Sequence, residues 1–194
     1  LTITDDTVTI GDGAAADTAI VFDGNAQDFY IGLDDSADDL IIGLGSTVGT
    51  TPIISVDENK DVAIPDGSLT ITVDDNSAAL TIKSTDADSA NGPIFDLVRD
   101  SASPADSDSL GMLRFKADND AGEETILANI KATVVDVSDG SEDGRLLLQT
   151  MIDGTSRNRI EITNTEVVVN QSSADSDFRV ESDVNTHSLF VDGE

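Results

Sequence analysis

The fold is decided by a short stretch, residues 29–42, which reads FYIGLDDSADDLII. Apolar residues alternate with others on both sides of a polar turn, and this is the period of a β-strand with one buried face. Two such strands joined by a polar link predict a β-hairpin. The spacing recurs in residues 69–82, LTITVDDNSAALTI, and in residues 178–191, FRVESDVNTHSLFV. A unit this small cannot bury its apolar face alone, so the copies must stack on neighbours or on other chains.

The composition favours strands and turns over helices. Hydrophobic residues make up 38% of the 194 residues but aromatic residues only 4%, with no Trp and one Tyr. Each unit therefore buries little area, at about 25 cal/mol per Å². Of the 39 acidic residues 31 are Asp, which forms turns and disfavours helix interiors. An assembly that shares its core between chains fits this composition better than a compact monomer.

The formal net charge of −29 limits the partners of the chain. It argues against binding to nucleic acid and to anionic lipid, since both require basic patches. The absence of cysteine excludes disulfides, thiol catalysis and Cys-zinc sites. No apolar run approaches the roughly 20 residues that span a bilayer, so membrane insertion is not predicted. The sequence begins within a strand pattern at Leu1 and stops at Gly193 and Glu194, just after a hairpin pattern, which predicts a segment of a longer polypeptide.

Three segments are predicted along the chain. Residues 1–93 form a shaft of repetitive β-hairpins with 18 acidic and 2 basic residues. Residues 94–170 form a small β domain, in which 15 acidic residues meet seven of the ten bases. Residues 171–194 return to the shaft repeat. The basic residues of the middle segment either contact a receptor or pair with local acids or a neighbouring subunit, and none is assigned a receptor-binding role.

Further strands are predicted from shorter patterns. Residues 54–64 and 160–169 each place two alternating apolar pairs around a polar turn, which predicts two hairpins. Residues 125–137 begin like a helix, with Glu and Thr. A strand is favoured there because the apolar residues are mostly two apart and the last ones are β-branched.

One polar turn has the oxygen spacing of a calcium loop. Asp57, Asn59 and Asp61 alternate as such ligands do, and calcium takes about six to eight oxygens. Val62 stands where a glycine is expected, and Ser68 stands where the twelfth-position acid is expected. The alternative is a hairpin turn stabilised by its own Asp side chain. No other metal and no cofactor are predicted.

No catalytic residues are predicted. Paired carboxylates can hydrolyse glycosides at defined separations, but 39 acidic residues meet such separations by chance. Sugar sites also favour aromatic platforms, which this chain lacks. The one histidine, His187, has no second His or Cys to form a dyad or a metal site, so a surface turn residue is expected.

Seven short motifs in the second half of the chain carry a resemblance to a known family. They are DFRVESD (177–183), LFVDG (189–193), LGMLRF (110–115), NDAGE (119–123), IKA (130–132), SDGSEDG (138–144) and RIEI (159–162). With these motifs the chain resembles tail fibres of tailed bacteriophages, especially marine ones, well over residues 94–194 and in style over residues 1–93. The resemblance implies a homotrimeric β-rich fibre, extracellular and on the virion, which contacts other tail or fibre proteins and a host receptor or glycan.

We therefore expect an all-β, elongated repeat of short hairpins, arranged as a β-prism or interwoven shaft with an inserted small β domain. The expected function is structural: a non-enzymatic tail-fibre component that displays or carries a host-receptor-binding surface. The alternative is a bacterial or archaeal cell-surface adhesin or surface-layer segment, stabilised by calcium. A third class is a polysaccharide depolymerase, which would release reducing ends from a host polysaccharide.

Overall fold

A computed structural model describes residues 8–173, 175 and 178 of the chain. The chain divides into two compact units, Leu1–Lys83 and Ser84–Glu194. Each unit contains one five-stranded antiparallel sheet, and no helix occurs in the described residues. The predicted all-β class is therefore confirmed.

Some of the predicted segments lie outside the residues that the structure describes. The third predicted segment, 171–194, and the third copy of the hairpin pattern, 178–191, fall almost entirely outside the described residues. His187 lies outside them as well. The division after Lys83 comes ten residues before the predicted boundary at residue 93, so the second unit includes the link that precedes the small β domain.

The first unit folds as a meander in which each strand pairs with the next one along the chain. Short apolar and β-branched runs alternate with polar or Gly-containing links, as expected for antiparallel hairpins. The predicted hairpins over 29–42 and 54–64 are both present. The strands are β1 (Thr18–Phe22), β2 (Phe29–Asp34), β3 (Asp39–Leu44), β4 (Pro52–Val56) and β5 (Val62–Ala63).

A small local core lies on one side of this sheet. Tyr30 of β2 is fully buried, and its ring lies over its cross-strand partner Gly43, where an added Cβ would overlap the ring. The loop after β3 closes over the same side, because the amide of Gly49 donates a 3.1 Å hydrogen bond to the Tyr30 hydroxyl. Val48 of this loop packs against Gly32. The one tyrosine of the chain thus joins β2, β3 and the loop.

The second unit is also a meander, with longer strands. Residues 125–137 are almost entirely strand rather than helix, which confirms the prediction from their spacing by two. The predicted hairpin over 160–169 is present as well. The strands are β6 (Ser109–Asp118), β7 (Glu124–Asp136), β8 (Asp143–Ile152), β9 (Thr155–Ile162) and β10 (Val167–Val169).

The predicted hairpin over residues 69–82 is absent from the single chain. No strand is assigned from Ile64 to Asp108, although all of these residues are described. Every residue from Glu58 to Asp100 is exposed. The prediction was wrong for the isolated chain, because its apolar side chains find no cover there and a two-stranded hairpin without cover is marginal in water.

Candidate assembly surfaces

The first sheet has an uncovered apolar side, which we call the first face. Its seven side chains are between 39% and 55% exposed. They form cross-strand rows, since Ile20 is paired with Ile31 and Ile31 with Ile42. Such rows are the normal unit of sheet packing. Among the described residues, the segment 9–16 lines a cavity of about 390 Å³ together with Ile20, Ile31, Leu33 and Leu40, and the rows nevertheless stay largely exposed. The first face consists of Ile20, Phe22, Phe29, Ile31, Leu33, Leu40 and Ile42.

The orientation of this sheet shows which side is covered within the chain. The repeated apolar positions of residues 29–42 were expected to be buried by neighbouring units or by other chains, and in the single chain they face outward. The residues between them, Tyr30 and Ile41, are the buried ones. The signal that sequence analysis missed was the pairing of the one tyrosine with a glycine, Gly43, which leaves space for its ring on the other side.

The second sheet has an uncovered apolar side of the same kind, the second face. Its register places Leu113, Ile130, Leu148 and Ile160 in one continuous row across four strands. The seven most exposed members of this side are between 36% and 64% exposed. They are Leu113, Phe115, Ile130, Leu146, Ile162, Val167 and Val169, and these define the second face.

A short segment before β6 covers one edge of the second face. Arg99 anchors it by an ion pair to Asp108 at 3.1 Å and by a hydrogen bond to the carbonyl of Ser109 at 3.1 Å. Leu97 then packs on Gly111, so closely that an added Cβ would lie 3.0 Å from the leucine side chain. A groove of about 260 Å³ remains beside it, lined by Leu97, Leu110, Gly111, Leu113, Ile130, Ala132 and Leu146.

The opposite side of the second sheet carries a network of polar side chains beside the buried Leu147. Arg145 donates to the hydroxyl of Thr133 at 3.1 Å and pairs with Glu161 at 3.5 Å. Asn158 donates to the other Glu161 oxygen at 3.0 Å and accepts a 2.6 Å hydrogen bond from Gln149. The buried Oδ1 of Asn129 on this side has no hydrogen-bond partner among the described residues, and Leu147 is buried here while the second face stays exposed.

The basic residues of the predicted middle segment are partly used in local pairs. Three of the seven form ion pairs with acids of the same unit within the described residues. This is one of the two roles expected from the sequence, and it adds little stability where the partners are exposed. The pairs are Arg99–Asp108 at 3.1 Å, Lys116–Glu124 at 2.6 Å and Arg145–Glu161 at 3.5 Å.

The free energy gained by covering the two faces would be large for a small protein. Burying a whole Ile, Leu or Phe side chain contributes roughly 1.5–3 kcal/mol. Covering the exposed halves of seven such residues therefore contributes on the order of 5–10 kcal/mol per face, before the cost of association. Soluble monomers rarely leave contiguous apolar patches of this kind in water. Both faces have the chemistry of protein contact surfaces.

The candidate calcium loop is the turn between β4 and β5. One carboxylate oxygen of Asp57 accepts hydrogen bonds from the amides of Asn59 at 2.9 Å and Asp61 at 2.8 Å. The Asp61 amide contributes most to holding the pKa of Asp57 below its ordinary value, although burial opposes it. Lys60 has a φ of 74°, which the turn requires. The structure thus shows the Asx-stabilised turn that sequence analysis gave as the alternative.

Calcium binding at Asp57, Asn59 and Asp61 stays a prediction. Among the described residues no group of three or more His, Cys, Asp or Glu side chains has an arrangement that holds a metal ion. The Asp57 oxygen that bonds the two amides would have to share its lone pairs with the ion. Melting of the chain with calcium and with chelator tests the prediction directly.

Comparison with known proteins identified no relative of this chain. No family model matches the chain, and neither the curated proteins nor the solved structures contain a match. Within the described residues, no helix has the length and apolar character to cross a membrane.

Proposed function

We propose that this chain is a structural segment of a homotrimeric extracellular fibre of the virion tail-fibre kind. It displays or carries a surface for a host receptor or glycan and catalyses no reaction. The observation that carries the proposal is the pair of uncovered apolar faces, one on each sheet. A thin sheet with one apolar side acquires a core when copies of it close around a symmetry axis.

The chemistry of the remaining surface supports an outward-facing role. Asp-rich turns and a net charge of −29 keep the exterior solvated, while the apolar rows remain available for contact between copies. Trimer formation also covers sheet edges that would otherwise template aggregation. The resemblance of residues 94–194 to phage tail fibres gives the number of copies and the setting.

The mechanism that we propose is display in three copies. A shaft of stacked β-units holds a recognition surface at a distance from the particle and presents it three times. Weak individual contacts with a host surface then gain avidity, because later contacts form at a high effective concentration. Other tail or fibre proteins would contact the segment through surfaces other than the first and second faces.

Sedimentation equilibrium of the chain tests the proposal. We expect a mass three times that of one chain, unchanged by chelator. The double variant Ile31→Ser, Ile42→Ser should sediment as a monomer and keep its β-type circular dichroism, since both side chains lie on the first face. Val135→Ser removes a similarly exposed apolar side chain outside both faces and should leave the trimer intact.

A folded monomer of the natural sequence would overturn the proposal. If that monomer also melted at a lower temperature in chelator, the calcium-stabilised adhesin would become the better reading of the chain. A trimer that survives the Ile31→Ser, Ile42→Ser change would show that the first face is not the contact surface.

A further inference from the structure

We propose that residues 69–82 form β-strands only between copies of this chain, where they build a shared apolar core. The inference rests on the proposed homo-oligomeric fibre and names the segment through which the copies are joined. It concerns backbone pairing, whereas the first and second faces concern packing of sheets that each chain forms by itself.

The segment has the sequence of a hairpin but none of its pairing. Leu69, Ile71 and Val73 alternate with threonines, and Leu80 and Ile82 do so after the turn. None of these residues is in a strand, and the five apolar side chains are 42–70% exposed. An alternating strand sequence with unpaired backbone and uncovered side chains needs a partner that supplies both hydrogen bonds and apolar cover.

The turn of this segment is nevertheless formed. The carboxylate of Asp75 accepts a 2.8 Å hydrogen bond from the amide of Ser77 and a short one from its hydroxyl. In the first copy, Asp34 accepts from the amide of Ser36 at 3.1 Å and from its hydroxyl at 2.7 Å. Both copies therefore contain an Asx turn, but that of the second copy begins one residue later in the repeat, because Asp34 corresponds to Asp74 and not to Asp75. What the second copy lacks is closure of its strands.

One residue of the turn explains part of this difference. The first hairpin closes with Asp38 in the left-handed region, at a φ of 58°. Ala78 stands at the corresponding position, forty residues later, and no described residue between Gly67 and Asp106 has a positive φ. Asp enters the left-handed region much more readily than Ala, because its side chain bonds the local backbone.

The missing local core explains the rest. Tyr30 and Ile41 hold the first hairpin from its covered side, and the corresponding residues are Thr70 and Thr81. Lys83 corresponds to Gly43, so the place where the tyrosine ring lies has no counterpart. The second copy has only one apolar side, and none of the described residues buries it.

A second copy of this chain is the partner that fits. Residues 69–73 and 80–82 carry no charged side chain, although the whole chain has a net charge of −29. Identical copies therefore approach here without the repulsion that other surfaces impose on them. Each copy also presents the same unpaired segment and the same apolar row, so assembly satisfies all copies at once and leaves the threonines in water.

Amide hydrogen exchange of the full chain tests the inference. In the oligomer, amides of residues 69–73 and 80–82 should exchange at least about tenfold more slowly than in dissociated chains. Amides of residues 29–44 should stay protected in both states, which shows that the first unit remains folded. The dissociated chain is obtained by dilution and, independently, from the double variant Ile71→Ser, Leu80→Ser.

The matched control is Thr70→Ser, Thr81→Ser, which alters the same strands on their polar side. We expect this control to keep both the native mass and the protection of residues 69–82. Fast exchange of residues 69–82 in a confirmed oligomer would overturn the inference and leave the proposed fibre standing. A monomer, whether or not residues 69–82 are protected in it, would overturn both.

Discussion

Residues 29–42 and 69–82 share one apolar pattern and reach different structures. The first stretch is a closed β-hairpin whose strands pair in register from Phe29 with Leu44 to Asp34 with Asp39. The second has an Asx turn in its middle and no assigned strand. The comparison teaches that an alternating pattern specifies which side of a strand is apolar. It does not specify which backbone the strand will pair with.

The two stretches differ at the positions between the repeated apolar residues, on the opposite side of each strand. In the first stretch the intervening positions hold Tyr30, Gly32, Ile41 and Gly43, and a loop with Val48 covers them. In the second stretch the intervening positions are threonines and Lys83. A hairpin that packs on its own loop is stabilised within one chain, whereas a two-stranded hairpin without such cover is marginal in water.

The largest expected effect comes from removing the side chain that stabilises the first copy. Tyr30→Ala should lower the free energy of unfolding of the first unit by about 3–5 kcal/mol, because it opens a cavity and leaves the Gly49 amide without its acceptor. Urea unfolding measures the change. The matched control, Thr70→Ala in the second copy, should change it by less than about 0.5 kcal/mol. Equal losses in the two variants would mean that the copies do not differ as described.

Overpacking the same core should have a somewhat smaller effect. A methyl group at Gly43 would overlap the Tyr30 ring, so Gly43→Ala should destabilise the first unit by about 1–3 kcal/mol. Thermal unfolding followed by circular dichroism gives this value. Lys83→Ala at the corresponding position should be close to neutral. A neutral Gly43→Ala would show that the ring can move aside without loss.

The turn residues at positions 38 and 78 can be exchanged between the two copies by substitution. Asp38→Ala should cost about 1–2 kcal/mol, because alanine is strained at a φ of 58°, while Asp38→Gly should be tolerated. Amide exchange of residues 39–44 should rise in the alanine variant. The reciprocal change, Ala78→Asp, should lower the cost of closing the second hairpin and so weaken the dependence of its protection on chain concentration. If neither Asp38→Ala nor Ala78→Asp changed amide exchange, the turn residue would not explain the difference between the copies.

The smallest expected effect is on the pH dependence of stability at acidic pH. The hydroxyl and amide of Ser77 donate to Asp75 and lower the pKa of its carboxyl, while burial acts in the opposite direction. A pKa lowered in the folded state adds stability at pH values above the ordinary value of 3.8, and this is lost as the pH falls through the folded pKa. Carboxyl NMR titration should show the pKa of Asp75 rising in Ser77→Ala. It should be unchanged in Ser68→Ala, which lies outside the turn, and a shift there would contradict the assignment.

Sequence reasoning succeeded where local patterns decide the outcome. The spacing by two in residues 125–137 outweighed their helix-like beginning, because β-branched residues on a half-buried surface favour a strand. The turn at Asp57, Asn59 and Asp61 followed from side chains that bond their own backbone. Such interactions involve neighbours in the sequence, so they can be read from it.

The sequence by itself determined that this protein is built from short antiparallel strands and that one side of each hairpin pattern is apolar. Only the tertiary structure decided which side is covered within the chain, with Tyr30 over Gly43 inside and the first face outside. It also decided which copy of the pattern closes. The physical reason is that burial and strand pairing depend on contacts between distant residues, and an alternating pattern is the same whichever partner satisfies it.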